Sequence, residues 1–123
     1  MYLAQMLVAL VALLHLGFLV LEMFLWTSPI GRKVFGMNAE KAEITKVMAA
    51  NQGLYNGFLV AGLLWGLLLG TAGVPVMIFF LSCVIVAGVY GAATVSRKIL
   101  WVQAAPAIAA LVVLGIVAPF SGG

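Results

Sequence analysis

Two ionisable side chains, His15 and Glu22, interrupt the otherwise apolar first stretch of this 123-residue chain. An ionisable group held in hydrocarbon costs a few kcal/mol or more, so such groups face a protein interior and mark function by default. His15 and Glu22 are seven residues apart, which brings them within about 20° of each other on an α-helix, and Trp26 falls on the same stripe. Burial favours the neutral form of a carboxyl and hydrogen-bond donors favour its anion. A group balanced between them exchanges protons near neutral pH. Donors are at hand in the string Asn51-Gln52-Gly53-Leu54-Tyr55-Asn56 and in Tyr90, Thr94 and Gln103. Glu22 and His15 are therefore the candidate catalytic residues. Trp26, Asn51, Gln52, Tyr55, Asn56, Tyr90, Thr94 and Gln103 are the candidate ligand-binding residues.

The elements that must position these groups are transmembrane helices. Hydrophobic residues make up 66% of the chain and charged residues 7%, with a mean hydropathy of +1.27. Most of it would aggregate in water. A hydrocarbon core about 30 Å thick needs roughly 20 apolar residues per helical crossing, so four crossings with short loops use nearly the whole chain. The expected fold is an all-α, integral membrane four-helix bundle forming one transmembrane domain over 1–123. Its helices are expected at about 2–26, 46–69, 75–95 and 99–118. Ser28-Pro29 stops the first, and Asn38-Ala39-Glu40 reads as the cap and acidic first turn of a short helix running into the second. Gly70-Thr71-Ala72-Gly73-Val74-Pro75 makes a tight uncharged turn, and Pro119 ends the fourth helix.

Charge sets the orientation. The six basic residues lie in two loops: Arg32, Lys33, Lys41 and Lys46 after the first apolar run, Arg97 and Lys98 after the third. By the positive-inside rule both loops are cytoplasmic, both termini are extracytoplasmic, and the chain is a multi-pass protein of the plasma (inner) membrane. The first apolar run has no preceding Lys or Arg and exceeds a signal-peptide core, so it is expected to stay as a helix. No basic segment is long enough to follow a phosphate backbone, which excludes nucleic acid as a partner. Cys83 is the only cysteine and reads as a small buried hydrophobe. One His and one Glu do not make a metal site, and no phosphate loop, haem motif or dinucleotide motif points to a cofactor.

Counting about 1.5 Å per residue from each cytoplasmic helix end places Glu22, Asn51, Gln52, Tyr90 and Gln103 in one layer, with His15 and Asn56 deeper. All four helices would then contribute to one polar pocket in the cytoplasmic half. Plainer roles compete with this one. Glu22 could pair with Lys46, Arg97 or Lys98 near the interface, the amides could be interhelical glue, and Trp26 and Trp101 could be interfacial anchors. Glycines at four-residue spacing (Gly53 and Gly57; Gly62, Gly66 and Gly70; Gly88 with Ala92) form seams for close helix packing, within one chain or between copies in a homo-oligomer.

His15-Leu16, Leu21-Glu22-Met23-Phe24-Leu25-Trp26, Gly31-Arg32-Lys33-Val34-Phe35-Gly36 and Ala50-Asn51-Gln52-Gly53-Leu54-Tyr55-Asn56-Gly57-Phe58 together resemble the domain-of-unknown-function family numbered 1304. These are small four-helix membrane proteins of bacteria and fungi. Val84-Ile85-Val86-Ala87-Gly88-Val89-Tyr90-Gly91 and Ser96-Arg97-Lys98-Ile99-Leu100 with Val102-Gln103 continue the resemblance over nearly the whole chain. It implies the four-helix fold, and its motifs coincide with the polar residues above; it brings no activity with it. The leading expectation is a protein that binds a small lipophilic ligand from the inner leaflet, or an isomerase-like enzyme acting on it, with membrane lipid as its surroundings. A proton-coupled exporter and an accessory subunit of a larger membrane complex are the alternatives.

Overall fold

The computed structural model describes residues 1–94 and 97–118, with the side chain of Ile99 left aside. Among the described residues the chain is almost entirely helical and has no strand. The elements are α1 (Tyr2–Met23), α2 (Pro29–Phe35), α3 (Ala39–Leu68), a 3-10 turn (Gly70–Gly73), α4 (Val74–Thr94), a short α5 (Arg97–Ile99), a π-helical turn (Leu100–Ala104) and α6 (Ala105–Val117). Three stretches are long and apolar enough to cross a membrane: Tyr2–Met23, Gly70–Thr94 and Leu100–Val117. They make this a membrane protein. α3 is not among them, because Asn51, Gln52 and Asn56 dilute its apolar length.

The four long helices close a ring in which α1 touches α3 and α6, and α4 touches the same two from the other side. Side chains at helical spacing fill the centre: Val8 and Val11 from α1, Leu63 from α3, Met77, Leu81 and Val84 from α4, and Leu114 from α6. On α6 the inner face is mostly alanine (Ala107, Ala110), which lets its backbone come close to its neighbours. All six basic residues sit at the end of the ring reached by α2 and α5, called here the basic end.

Local chemistry explains where the elements begin and stop. α1 ends at Met23, short of Trp26, and Leu25 N–H donates back to the Val20 carbonyl as the chain turns away. Ser28 caps α2, accepting from Gly31 N–H at 3.2 Å, with Pro29 in the first turn and Gly36 in the left-handed conformation (φ 63°) at the far end. Gly31 is required there, since a Cβ would overlap the Leu25 carbonyl. Where the sequence reads as a short helix leading into a second one at about 46–69, the structure has a single 30-residue helix, α3. Its cap is Asn38 Oδ1, which accepts from Lys41 N–H at 2.8 Å. The end of the third helix at Val95 and the stop at Pro119 lie outside the described residues.

The π-helical turn is a consequence of Pro106. Proline has no N–H to give the carbonyl of Val102, four residues back, and its ring crowds that carbonyl. Widening the preceding turn relieves the clash without ending the helix.

Candidate functional site

Two hydrogen-bonded pairs, one buried and one partly so, lie on the inner stripe of α1, about 10 Å apart along its axis. Nearer the basic end, Glu22 sits in the last turn of α1 and is only 5% exposed. Its Oε1 accepts a hydrogen bond from Asn56 Nδ2 on α3 at 2.5 Å. Gly53 makes the approach possible, because a Cβ there would collide with the Met23 side chain and stand 3.3 Å from the Leu19 carbonyl. Gly57, one turn on, would meet Leu19 Cδ1 at 3.0 Å. The Gly53 and Gly57 seam thus packs α3 on α1 within the chain.

Counting residues from the loops puts Asn56 well below Glu22, yet the two meet. Side chains on a helix lean toward its N-terminus. On antiparallel neighbours Glu22 leans away from the basic end and Asn56 leans toward it, so their polar ends converge.

The second pair joins α1 to the π-helical turn. His15 is fully buried, and its Nδ1 lies 2.8 Å from the Val11 carbonyl. A carbonyl only accepts, so Nδ1 carries the proton. Nε2 is then the acceptor for the Gln103 amide, 3.2 Å away, and both nitrogens of a neutral imidazole are satisfied. Phe18 meets the ring edge-on, with centroids 5.3 Å apart.

The remaining candidates are placed differently. Trp26 stands in the turn after α1, where its indole Nε1 donates to Thr45 Oγ1 at 3.0 Å and its ring lies 4.6 Å from that of Phe35. It braces α2 against the start of α3, and Thr45 is the partner that sequence reasoning missed. Asn51, Gln52, Tyr55, Tyr90 and Thr94 are all exposed. The expectation of one pocket fed by all four helices is corrected here: α1, α3 and the π-helical turn supply the two pairs, and α4 supplies none of their members. α4 turns the apolar stripe Met77, Leu81, Val84 and Gly88 inward, which leaves Tyr90 and Thr94 off that stripe. The Thr94 hydroxyl donates to the Tyr90 carbonyl of its own helix at 2.7 Å.

Other expectations resolve in the same terms. Lys46 pairs with Glu43 on its own helix, so the hydrogen-bond partner of Glu22 is an amide and not that lysine. Gly62 packs on the ring of Phe80, Gly66 on Met77 and Gly73, and Gly88 on Ala104. Gly70 belongs to a turn, with φ 63°, and not to a seam. Among the described residues no three His, Cys, Asp or Glu side chains cluster as a metal site would need.

The family model described as "Protein of unknown function (DUF1304)" matches residues 9–115, a span that contains both pairs. The chain belongs to the DUF1304 family. It is similar to the uncharacterized protein YpaA of Lactococcus lactis subsp. lactis, with 33% identity over 105 residues, 84% of this chain and 88% of YpaA. No solved structure matches the chain. For this DUF1304 member the functional reading therefore rests on the geometry of its own residues.

Proposed function

We propose that the protein crosses the plasma membrane four times, with α3 as the fourth span and both termini outside the cytoplasm, and that it binds a small, partly lipophilic molecule at the Glu22 carboxyl. The packing of α3 along α1 supports the fourth span, since α1 covers Asn56 that lipid would not tolerate. The gathering of the basic residues at one end supports the orientation.

One observation carries the ligand reading. Glu22 is buried and held by the neutral Asn56 amide, and an ionisable group kept within a membrane helix is costly enough to mark a functional site by default. Asn56 orients the carboxyl, which gives a proton to one atom of the ligand and takes one from another, an isomerase-like exchange that leaves the ligand's composition unchanged. His15, with its free-base nitrogen turned to Gln103, holds the next polar position along the same stripe. This is chemistry inferred from a site, with no support from the fold as such.

Organic extraction of the protein purified in nanodiscs tests the reading. The wild type should release a discrete small molecule, and Glu22→Gln, shown to be folded by its cooperative thermal unfolding, should not. Equal yields from the two proteins would remove the proposal.

A further inference from the structure

Both sides of α3 follow a seven-residue register. Ala42, Ala49, Asn56 and Leu63, seven residues apart, are all buried, and this is the line that turns Asn56 to Glu22 on α1. The opposite line is exposed over its whole length. Ile44, Asn51, Phe58 and Trp65, again seven apart, are exposed, and so are Val47, Leu54, Ala61 and Leu68, each three residues further on. Alternating steps of three and four residues are the a and d positions of a heptad repeat, the pattern of helices that wind around one another. The repeat runs for about 36 Å of helix. Gly53, Gly62 and Gly66 lie off this line and pack within the chain.

Two features of the seam ask for protein and not lipid against it. It outruns the hydrocarbon: Gly53 packs on Met23, the last residue of α1, and Ile44 lies nine residues nearer the basic end, about 13 Å beyond it. Lys41, Glu43 and Lys46 surround it there, yet Ile44 is 73% and Val47 75% exposed. Apolar surface at that level is stabilised by removal from water. The seam also contains Asn51, whose amide has no hydrogen-bond partner among the described residues. In paired helices a single amide at an a position fixes the register and the number of strands.

We infer that α3 pairs with α3 of a second copy as a parallel, two-stranded coiled coil from Ile44 to Leu68, with the two Asn51 amides bonded to each other. Basic residues at one end give both copies the same orientation, so the two-fold axis runs along the membrane normal and each seam residue meets its own counterpart. A carboxamide both donates and accepts, so one Asn51 satisfies the other. The β-branched Ile44 at a with Leu54 at d suits two strands. The flanking e and g positions Met48, Ala50, Tyr55 and Gly57 carry no charge to oppose self-pairing. Ala61 lets the helices come close between Phe58 and Trp65. At these exposures the seam offers on the order of 800 Å², one partner's share of a standard interface. The inference goes beyond the ligand reading, and the Glu22 pair stays on the far face of α3.

Disulfide scanning of single-cysteine variants in native membranes, in a Cys83→Ser background, tests the register. Ile44→Cys, Val47→Cys and Leu54→Cys should oxidise to dimers, whereas Lys46→Cys and Ala93→Cys, exposed but off the seam, should not. Equal yields at all five positions would mean random collision and overturn the seam. Energy transfer between donor- and acceptor-labelled copies in phosphatidylethanolamine–phosphatidylglycerol vesicles measures the affinity. Ile44→Glu, shown to be folded by its cooperative thermal unfolding, should raise the dissociation constant by about ten-fold, because two like charges then meet. Lys46→Gln should leave it unchanged. The cysteine pattern decides independently of how Ile44→Glu folds. A wild type without energy transfer at any protein-to-lipid ratio would overturn the pairing, as would a folded Ile44→Glu protein that pairs like the wild type. Seam cysteines that join a different protein in the native membrane would give the surface to another partner and overturn it too.

Discussion

The two ends of the α3–α4 side are built on opposite principles. Away from the basic loops α3 lies close on α4: a Cβ on Gly66 would collide with the Met77 side chain and stand 3.1 Å from the Met77 nitrogen. Close packing of this kind is the main source of helix association in lipid. Toward the basic end the polar contacts are hydrogen bonds from α3 and the π-helical turn to α1. A bundle clamped by glycine at one end can hold polar pairs at the other. Close packing characterises the first region, and the second holds the groups to which the proposed chemistry is assigned.

Overfilling the clamp is the hardest way to break that contrast. Gly66→Val should destabilise the protein by about 3 kcal/mol, the upper range for overpacking without room to relax. Thermal unfolding in detergent measures it. Gly17→Ala, where a Cβ meets nothing within 4 Å, should change stability by no more than about 1 kcal/mol and in the stabilising direction. If the two substitutions behave alike, the clamp is not what holds the bundle.

The Glu22 pair sharpens the contrast at smaller scale. Asn56→Leu leaves the buried carboxyl without its donor and should cost about 2 kcal/mol. Glu22→Gln keeps an acceptor for Asn56 and should cost less, about 1 kcal/mol. Glu22→Leu combined with Asn56→Leu should recover part of the loss, which denaturation of the wild type, Glu22→Leu, Asn56→Leu and the double variant reads directly as a double-mutant cycle. Strict additivity would mean that the hydrogen bond contributes nothing.

The smallest effect belongs to the His15 pair. Gln103→Leu should cost about 0.6 kcal/mol, the average for an interhelical hydrogen bond in a membrane. Nitrogen NMR is the more telling measurement: His15 should carry its proton on Nδ1 in both proteins, with only the Nε2 resonance moving in Gln103→Leu. A proton on Nε2 in the wild type would contradict the bond to Val11.

Much of the helical architecture could be read from apolar run length and composition, and His15 and Glu22 declared themselves as ionisable groups where hydrocarbon tolerates few. The partners of those groups could not be read. Helical spacing shows that His15 and Glu22 share a stripe, but it does not reveal which neighbour that stripe faces or at what height. Asn56 was counted too deep for Glu22 because the opposite lean of side chains on antiparallel helices was not in the count. Asn51 and Tyr55 were assigned to the interior because polar residues in an apolar run are expected to hide, and the structure leaves both exposed. Pro106 was the one overlooked signal, a proline placed to widen the turn that presents Gln103.

By itself the amino-acid order determined that the chain is helical, that it belongs in lipid, and that its charges collect at one end, since these follow from local propensity and from transfer free energy summed along the chain. Only the tertiary structure decided that Glu22 meets Asn56, that His15 meets Gln103 and that Asn51 and Tyr55 stay exposed. Those outcomes depend on helix separation and tilt, which are set by where glycine lets backbones touch and by where a proline forbids a regular turn.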